Sequence, residues 1–140
     1  MSSYRVESGA WSELEAPASA VRYAVFVQEQ HVPLSLEMDE LDRCSLHAVA
    51  YKDGTPIGTG RLLPNAHIGR MAVLAEYRGQ GVGALVLQKL MATAKSRGDK
   101  IVYLSAQVHA LAFYIRYGFE PYGAVYQDAN IAHRMMRYEF

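Results

Sequence analysis

Hydrophobic residues recur at helical spacing in three parts of the chain. Apolar side chains at every third or fourth position predict a helix over residues 81–97, with Gly98 as its end. The same spacing predicts a helix over residues 17–30, where Pro17 suits the first turn. A shorter helix is expected over residues 110–117.

Short apolar or alternating runs predict the strands. Residues 46–51 and 57–63 flank Asp53 and Gly54, a strong signal for a β-hairpin. Residues 31–43 contain Pro33 and many acidic residues, and are expected to be irregular or a short helix. The remaining strands are expected at residues 4–7, 67–73, 101–105, 121–126 and 135–140. The resulting order, β-α-β-β-β-α-β-α-β-β, implies a mixed sheet with helices on its faces, an α/β or α+β domain.

Composition and charge restrict the classes of function. The 140 residues suit a single domain, residues 1–140, in which 51% of the residues are hydrophobic. Fourteen basic and 14 acidic residues give zero net charge, which argues against a nucleic-acid or polybasic membrane surface. One cysteine excludes an internal disulfide, and the N-terminus lacks an apolar signal region. A soluble cytoplasmic protein is therefore expected.

Three alternating glycines carry the main functional signal. Gly79, Gly81 and Gly83 stand between an apolar strand-like run and the helix expected at residues 81–97. Such a loop can direct several backbone N–H groups at one anion, and the helix dipole adds positive charge there. Glycine also permits positive φ and close approach. The pattern favours the pyrophosphate of a nucleotide-bearing cofactor.

Other interpretations of this loop fit less well. A nucleoside triphosphatase loop needs Gly-Lys-Ser/Thr, which the chain lacks. The spacing Gly79-x-Gly81-x-x-Ala84 matches a dinucleotide-binding pattern, with Asp99 twenty residues after Gly79. That acid should follow the second strand, whereas Asp99 precedes the run at residues 101–105. A strand-to-helix turn without a ligand remains the plainer alternative.

Two motifs resemble those of the GNAT superfamily of N-acetyltransferases. Residues 78–84 resemble its Arg/Gln-x-x-Gly-x-Gly/Ala acyl-CoA loop. Its second signature, Asn-x-x-Ala-x-x-x-Tyr followed by Gly-Phe, resembles Gln107-x-x-Ala110-x-x-x-Tyr114 followed by residues 118–119. The segments that resemble the ElaA-like (YjcF-like) branch are residues 25–30, 37–42, 68–73 and 131–136. The resemblance covers roughly residues 4–140, with two departures, Gln107 for the superfamily Asn and Asn130 where a glycine is expected.

The resemblance implies a fold, a reaction and a donor site. The fold would be a mixed, strongly twisted sheet of six or seven strands, splayed near Val73, with about four helices. The reaction would be transfer of an acetyl group from acetyl-CoA to a primary amine of a small molecule or peptide, by direct attack in a ternary complex. Main-chain groups of Met71 and Val73 would pair with the pantetheine arm, and the loop would hold the pyrophosphate. The implied cofactor-binding residues are Met71, Ala72, Val73, Arg78, Gly79, Gln80, Gly81, Val82, Gly83, Ala84, Gln107, Ala110, Phe113 and Tyr114.

Catalytic roles are then assigned to a few polar side chains. Tyr114 is the candidate general acid for the leaving thiolate, although a tyrosine at helical spacing is also typical of a core position. Glu37 and Asp39 are candidates for an acidic rim that attracts the amine and relays its proton, with a solvated acidic loop as the alternative. Glu29 and His133 are candidate acceptor-binding residues. No His or Cys pair has the spacing of a metal site.

Two other functions remain open at this stage. Residues 37–42 and 58–64, together with Arg22, also resemble the acyl-homoserine lactone synthases, which are longer and lack this glycine loop. A non-catalytic module that senses acyl-CoA would carry the same loop, and turnover with an amine would separate the two. The chain is expected to be a monomer or a homodimer.

Overall fold

A computed structural model describes residues 4–140, which form seven strands and four α-helices. The strands are β1 (Tyr4–Ala10), β2 (Leu46–Lys52), β3 (Thr55–Leu62), β4 (His67–Val73), β5 (Ile101–Gln107), β6 (Glu120–Asp128) and β7 (Ile131–Glu139). The helices are α1 (Trp11–Arg22), α2 (Leu34–Glu37), α3 (Val82–Arg97) and α4 (Leu111–Arg116). A π-helical segment, Tyr23–Glu29, continues α1, and 3₁₀ turns lie at Glu40–Cys44, Ala75–Tyr77 and Val108–Ala110.

The strands form one mixed sheet that opens in its middle. Their order is β1-β2-β3-β4-β5-β7-β6, and β4 and β5 are the parallel neighbours. These two strands pair only at His67 with Tyr103 and at Ile68 with Leu104. β4 continues to pair with β3 as far as Val73. Within the described chain, the edge of β4 that faces β5 is therefore unpaired from residue 69 to residue 73.

The opening coincides with an irregularity in β4. Arg70 has a φ of +50°, the left-handed region that L residues rarely occupy within a strand. Opposite it, the register between β3 and β4 shifts between Thr59 and Arg61, as at a β-bulge. A bulge bends its strand and increases the local twist. This bend turns the end of β4 away from β5.

Helix α3 packs closely over the sheet and brings its N-terminus to the opening. Its apolar stripe, including Val86 and Leu90, is fully buried. Gly60 in β3 permits the close approach, because a Cβ atom there would lie 2.6 Å from Met71 Sδ and 2.8 Å from Leu90 Cδ1. The packed helix fixes the start of α3 beside the end of β4.

Most of the expected elements are confirmed, but the predicted start of the first helix is wrong, and β7 begins at Ile131, four residues before its expected start. The hairpin of β2 and β3, the strand β4 and the helix α3 lie within a few residues of their predicted positions. The first helix begins at Trp11 rather than at Pro17, which lies inside it. Pro17 lacks the N–H that would bond the Glu13 carbonyl, but Leu14 and Ala18 are buried on the same face, and this packing holds the helix together.

Candidate active site

A cleft of about 1060 Å³ occupies the opening between β4 and β5. The start of α3 and helix α4 line one part of it, and the π-helical segment and β7 line another. Every expected cofactor-binding residue except Gln80 lines this cleft, as do Glu29, Glu37 and His133. Asp39 does not line it. The two sequence signatures, far apart in the chain, thus meet in one cavity.

The glycine loop presents a row of backbone donors. Gly79 and Gly81 have φ values of +77° and +85°, so their conformation favours glycine. The Leu85 N–H donates to the Gly81 carbonyl at 3.2 Å. Among the described residues, no backbone N–H between those of Arg78 and Leu85 reaches a backbone carbonyl. The N–H groups of residues 79–84 are therefore available, and the first turn of α3 adds its dipole.

The side chains of this loop have separate roles. Gly83 lies in the first turn of α3, where a Cβ atom would lie 3.4 Å from the Phe113 ring, an ordinary van der Waals contact, so packing against α4 does not itself require glycine there. The Gln80 side chain points out of the cleft. It accepts a hydrogen bond from the Tyr4 hydroxyl (2.5 Å) and donates to the Glu76 carbonyl (3.2 Å). Any contact of Gln80 with a donor would therefore come from its main chain.

Arg78 links the loop to β4 and to the π-helical segment. Its Nε donates to the Val73 carbonyl at 2.9 Å, and its two terminal nitrogens donate to the Glu29 carboxylate at 2.6 and 2.7 Å. The hydrogen bond from Arg78 lowers the pKa of Glu29, and the same bond raises the pKa of Arg78. Both side chains therefore carry full charge near neutral pH.

Tyr114 is buried in α4 with its hydroxyl open to the cleft. Its ring packs edge-on against Phe113 and Phe119, at centroid distances of 5.0 and 5.9 Å. The Tyr114 hydroxyl has no hydrogen-bond partner among the described residues. It is not fully enclosed by protein, because in this part of the chain the only fully enclosed side-chain N or O atom without a partner is Arg61 Nε. The hydroxyl is therefore accessible from the cleft that the Tyr114 side chain lines. Burial raises the pKa of Tyr114, so the phenol stays protonated.

Gln107 and His133 face each other across β5 and β7. They are direct register partners, and both line the cleft. Gln107 forms a pair of amide hydrogen bonds with Gln30, at 2.9 and 3.3 Å. His133 Nδ1 lies 2.7 Å from the Ile131 carbonyl oxygen. Because a carbonyl can only accept, Nδ1 carries a proton, and the neutral ring keeps its lone pair on Nε2.

The acidic segment joins a network of arginines rather than forming a solvated loop. Glu37 and Asp42 are 6% and 4% exposed. Arg22, itself 2% exposed, donates from Nε to Glu37 at 2.5 Å and from Nη1 to Asp42 at 2.7 Å. Arg61 donates to both oxygens of Asp39 at 2.7 and 2.8 Å, and to Asp42 at 2.9 Å. Buried acids of this kind need such partners.

Glu37 and Asp39, the two expected catalytic acids, differ in their contacts with this network. Hydrogen bonds from Arg61 to both carboxylate oxygens of Asp39 lower the pKa of Asp39. A carboxylate held in this way is a weak proton acceptor, and Asp39 lies outside the cleft lining. Glu37 lines the cleft, and its Oε2 has no hydrogen-bond partner among residues 4–140.

Gln30 and Arg22 of this site were given no role by sequence reasoning. Gln30 bonds Gln107, Arg22 is the centre of the buried network, and Arg70 donates to the Leu36 and Glu37 carbonyls at 3.0 to 3.2 Å. The acidic run was the available signal, because several buried acids require nearby cations. The identity of these residues depends on contacts between positions 15 to 77 residues apart in the sequence.

Residues 4–140 contain no group of three or more His, Cys, Asp or Glu side chains that could hold a metal ion. No helix in this part of the chain is long and apolar enough to cross a membrane.

Comparisons with known proteins agree with this geometry. The family model described as an acetyltransferase (GNAT) domain matches residues 12–140. This chain belongs to the GNAT acetyltransferase family. It is 37% identical over 120 residues to the uncharacterized N-acetyltransferase YjcF of Bacillus subtilis. The aligned region covers 83% of this chain and 86% of YjcF.

Solved structures support the same family and branch. The crystal structure of Escherichia coli ElaA is 30% identical, with a TM-score of 0.84 over 99% of this chain and 100% of that chain. An acyl-CoA N-acyltransferase from Pseudomonas aeruginosa is 33% identical, with a TM-score of 0.82 over 99% of both chains. The chain is thus an acyl-CoA-dependent N-acyltransferase of the ElaA-like branch, with the expected fold.

The second resemblance is one of fold. A CoA-dependent acyl-homoserine lactone synthase has a TM-score of 0.81 over 98% of this chain and 83% of that chain, at 14% identity. Identity at this level carries the shared architecture and does not extend to the reaction.

Proposed function

We propose that this enzyme transfers an acetyl group from acetyl-CoA to a primary amine by direct attack within a ternary complex. The observation that carries the proposal is the union of three features in one cleft. These are the unpaired edge of β4, the free N–H groups of residues 79–84 and the protonated hydroxyl of Tyr114.

The residues present fit an acyl-CoA donor. The N–H groups of residues 79–84 at the start of α3 suit a pyrophosphate. Backbone groups of Met71 and Val73 lie on the opened strand, where a pantetheine arm could pair as a further strand would. When bound, the donor supplies a thioester whose acyl group is transferred. A main-chain N–H of β4 would polarise the thioester carbonyl.

Tyr114 is the proposed general acid. The amine nitrogen forms the new N–C bond as the C–S bond breaks, and the departing sulfur takes the phenolic proton. The second proton that the nitrogen must lose passes to the Tyr114 oxygen, which restores the phenol. Burial keeps that proton in place at neutral pH, because it raises the pKa of Tyr114. The packing of its ring against Phe113 and Phe119 fixes the direction of the hydroxyl.

His133 is the proposed base, and Glu37 the proposed partner of the incoming cation. The Nε2 lone pair of His133 is available because Nδ1 is bonded to Ile131. Oε2 of Glu37 can pair with an ammonium group before it loses its proton to His133. Asp39 then acts indirectly, by holding Arg61 and Arg70 in the network that positions Glu37.

A turnover screen tests the proposal. The enzyme is mixed with acetyl-CoA and a panel of primary amines, including amino sugars, polyamines, amino acids and peptides, and free thiol release is measured. We expect amine-dependent release that stops when acetyl-CoA is omitted. Saturable binding of acetyl-CoA without release with any amine would favour a sensor module instead.

Gly81→Val and Gly98→Val form a matched pair for the donor site. Both glycines have positive φ, +85° and +97°, and lie at opposite ends of α3 with open space beside them. Both variants therefore suffer similar backbone strain, but only the first places a side chain beside the free N–H groups. We expect calorimetry to show lost acetyl-CoA binding for Gly81→Val alone. Equal affinities in the two folded variants would refute the assigned pyrophosphate site.

A further inference from the structure

The ion pair of Glu29 and Arg78 lies at the proposed donor site. The two terminal nitrogens of Arg78 each donate to one Glu29 oxygen, so the carboxylate occupies the edge of the guanidinium that carries these donors. An arginine binds a pair of phosphate oxygens through the same edge. Arg78 itself is held in place, because its Nε is bonded to the Val73 carbonyl.

The segment that carries Glu29 is conformationally unusual. Residues 23–29 form a π-helix, an uncommon conformation that occurs frequently at functional sites. His31, two residues later, has a φ of +59°. Glu29 is the last residue of this segment and contacts Arg78 of the first signature, and Gln30, which follows it, contacts Gln107 of the second. The π-helical segment therefore places a negative charge beside the phosphate loop.

That charge opposes an anionic donor. A coenzyme A molecule carries several negative charges on its phosphates, and Glu29 neutralises the one arginine side chain of the loop. Glu29 and Arg78 are both about 42% exposed, so their attraction is of the modest size found at surfaces and is sensitive to salt. A ligand with several charges can displace a partner held this weakly.

We propose that Glu29 competes with the donor's pyrophosphate for the Arg78 side chain, and thereby lowers the affinity of the enzyme for its acyl donor and for the coenzyme A product. Glu29 adjusts the donor affinity through Arg78 and does not contact the reacting atoms. This inference rests on the proposed donor site at residues 78–84.

Calorimetry with coenzyme A tests the competition. Glu29→Gln keeps the size of the side chain and removes its charge, so we expect coenzyme A to bind about two- to fivefold more tightly at low ionic strength. The gain should shrink as salt is added, because exposed charges are screened. Arg78→Gln should weaken binding, and Glu29→Gln should have no further effect in that background.

Glu76→Gln is the matched control. Glu76 lies in the 3₁₀ turn just before the loop and is exposed, but its carboxylate makes no ion pair within residues 4–140. Unchanged or weaker binding in Glu29→Gln would overturn the inference, as would an equal gain in Glu76→Gln. If the unmodified enzyme itself fails to bind coenzyme A, the proposed donor site fails first. These outcomes separate the two hypotheses.

Discussion

Replacing Tyr114 by phenylalanine isolates a single hydroxyl group. The ring of Tyr114 supplies the packing against Phe113 and Phe119, and phenylalanine preserves it. The hydroxyl has no hydrogen-bond partner among the described residues, so its removal leaves no protein group unsatisfied. We therefore expect the free energy of unfolding to change by less than about 0.5 kcal/mol.

The effect on catalysis should be much larger than the effect on stability. Loss of a general acid slows a reaction by about 10²- to 10⁴-fold, which raises the barrier by about 2.7 to 5.5 kcal/mol. Because burial raises the pKa of Tyr114, the phenol stays protonated from about pH 5 to about pH 9. The ratio of the two kcat values should therefore be constant over that range.

Steady-state kinetics with the amine found in the turnover screen provide the measurement. kcat is followed by thiol release, and the affinity for acetyl-CoA is measured separately by calorimetry. Tyr117→Phe is the control, because Tyr117 also lines the cleft and its ring lies 5.3 Å from that of Phe113. A drop in kcat below tenfold for Tyr114→Phe, or an equal drop for Tyr117→Phe, would show that Tyr114 is only a packing residue.

Two further predictions concern the base and the buried network. His133→Gln should lower kcat/KM about 10²- to 10⁴-fold, with coenzyme A affinity unchanged by calorimetry. Asp42→Asn should cost about 3–5 kcal/mol in urea unfolding, against less than about 1 kcal/mol for Asp99→Asn at an exposed pair. Hydrogen bonds and charge from Arg22 and Arg61 together outweigh burial and lower the pKa of Asp42. The stability that the Asp42 carboxylate adds to the folded protein is therefore present above the usual carboxyl range and is lost as pH falls through the lowered pKa. Acid should consequently destabilise Asp42→Asn less than the unmodified enzyme.

Local patterns in the sequence predicted the elements whose signals are local. The stripe of α3 and the Asp53-Gly54 turn depend on residues within a few positions of each other, and both lie where they were expected. The glycine loop was recognised because positive φ at Gly79 and Gly81 restricts the residue type there. The residues expected at the donor site came from the resemblance to the two GNAT motifs, and all of them except Gln80 line the cleft.

The start of α1 and the acidic segment depend on tertiary contacts. Pro17 is a valid signal for a first turn, but buried packing of α1 overrides it. The run from residue 37 to residue 42 has the composition of a solvated loop, and no local feature of the sequence distinguishes a solvated loop from a buried network. The deciding residues are Arg22 and Arg61, which pair with acids 15 to 22 positions away in the sequence.

Arg70 shows why local rules alone do not predict the opening of the sheet near Val73, which the resemblance implied. A non-glycine residue at φ +50° costs roughly 1–2 kcal/mol, so a local rule argues against a bulge at an arginine. Its guanidinium offsets that cost by donating to the Leu36 and Glu37 carbonyls and to Asp39, at 3.0 to 3.2 Å. The carbonyls belong to α2, so the contact that stabilises the bend of β4 also anchors the backbone of Glu37. The unpaired edge of β4 and the Glu37 carboxylate are therefore positioned by the same side chain, and no local sequence pattern indicates these contacts.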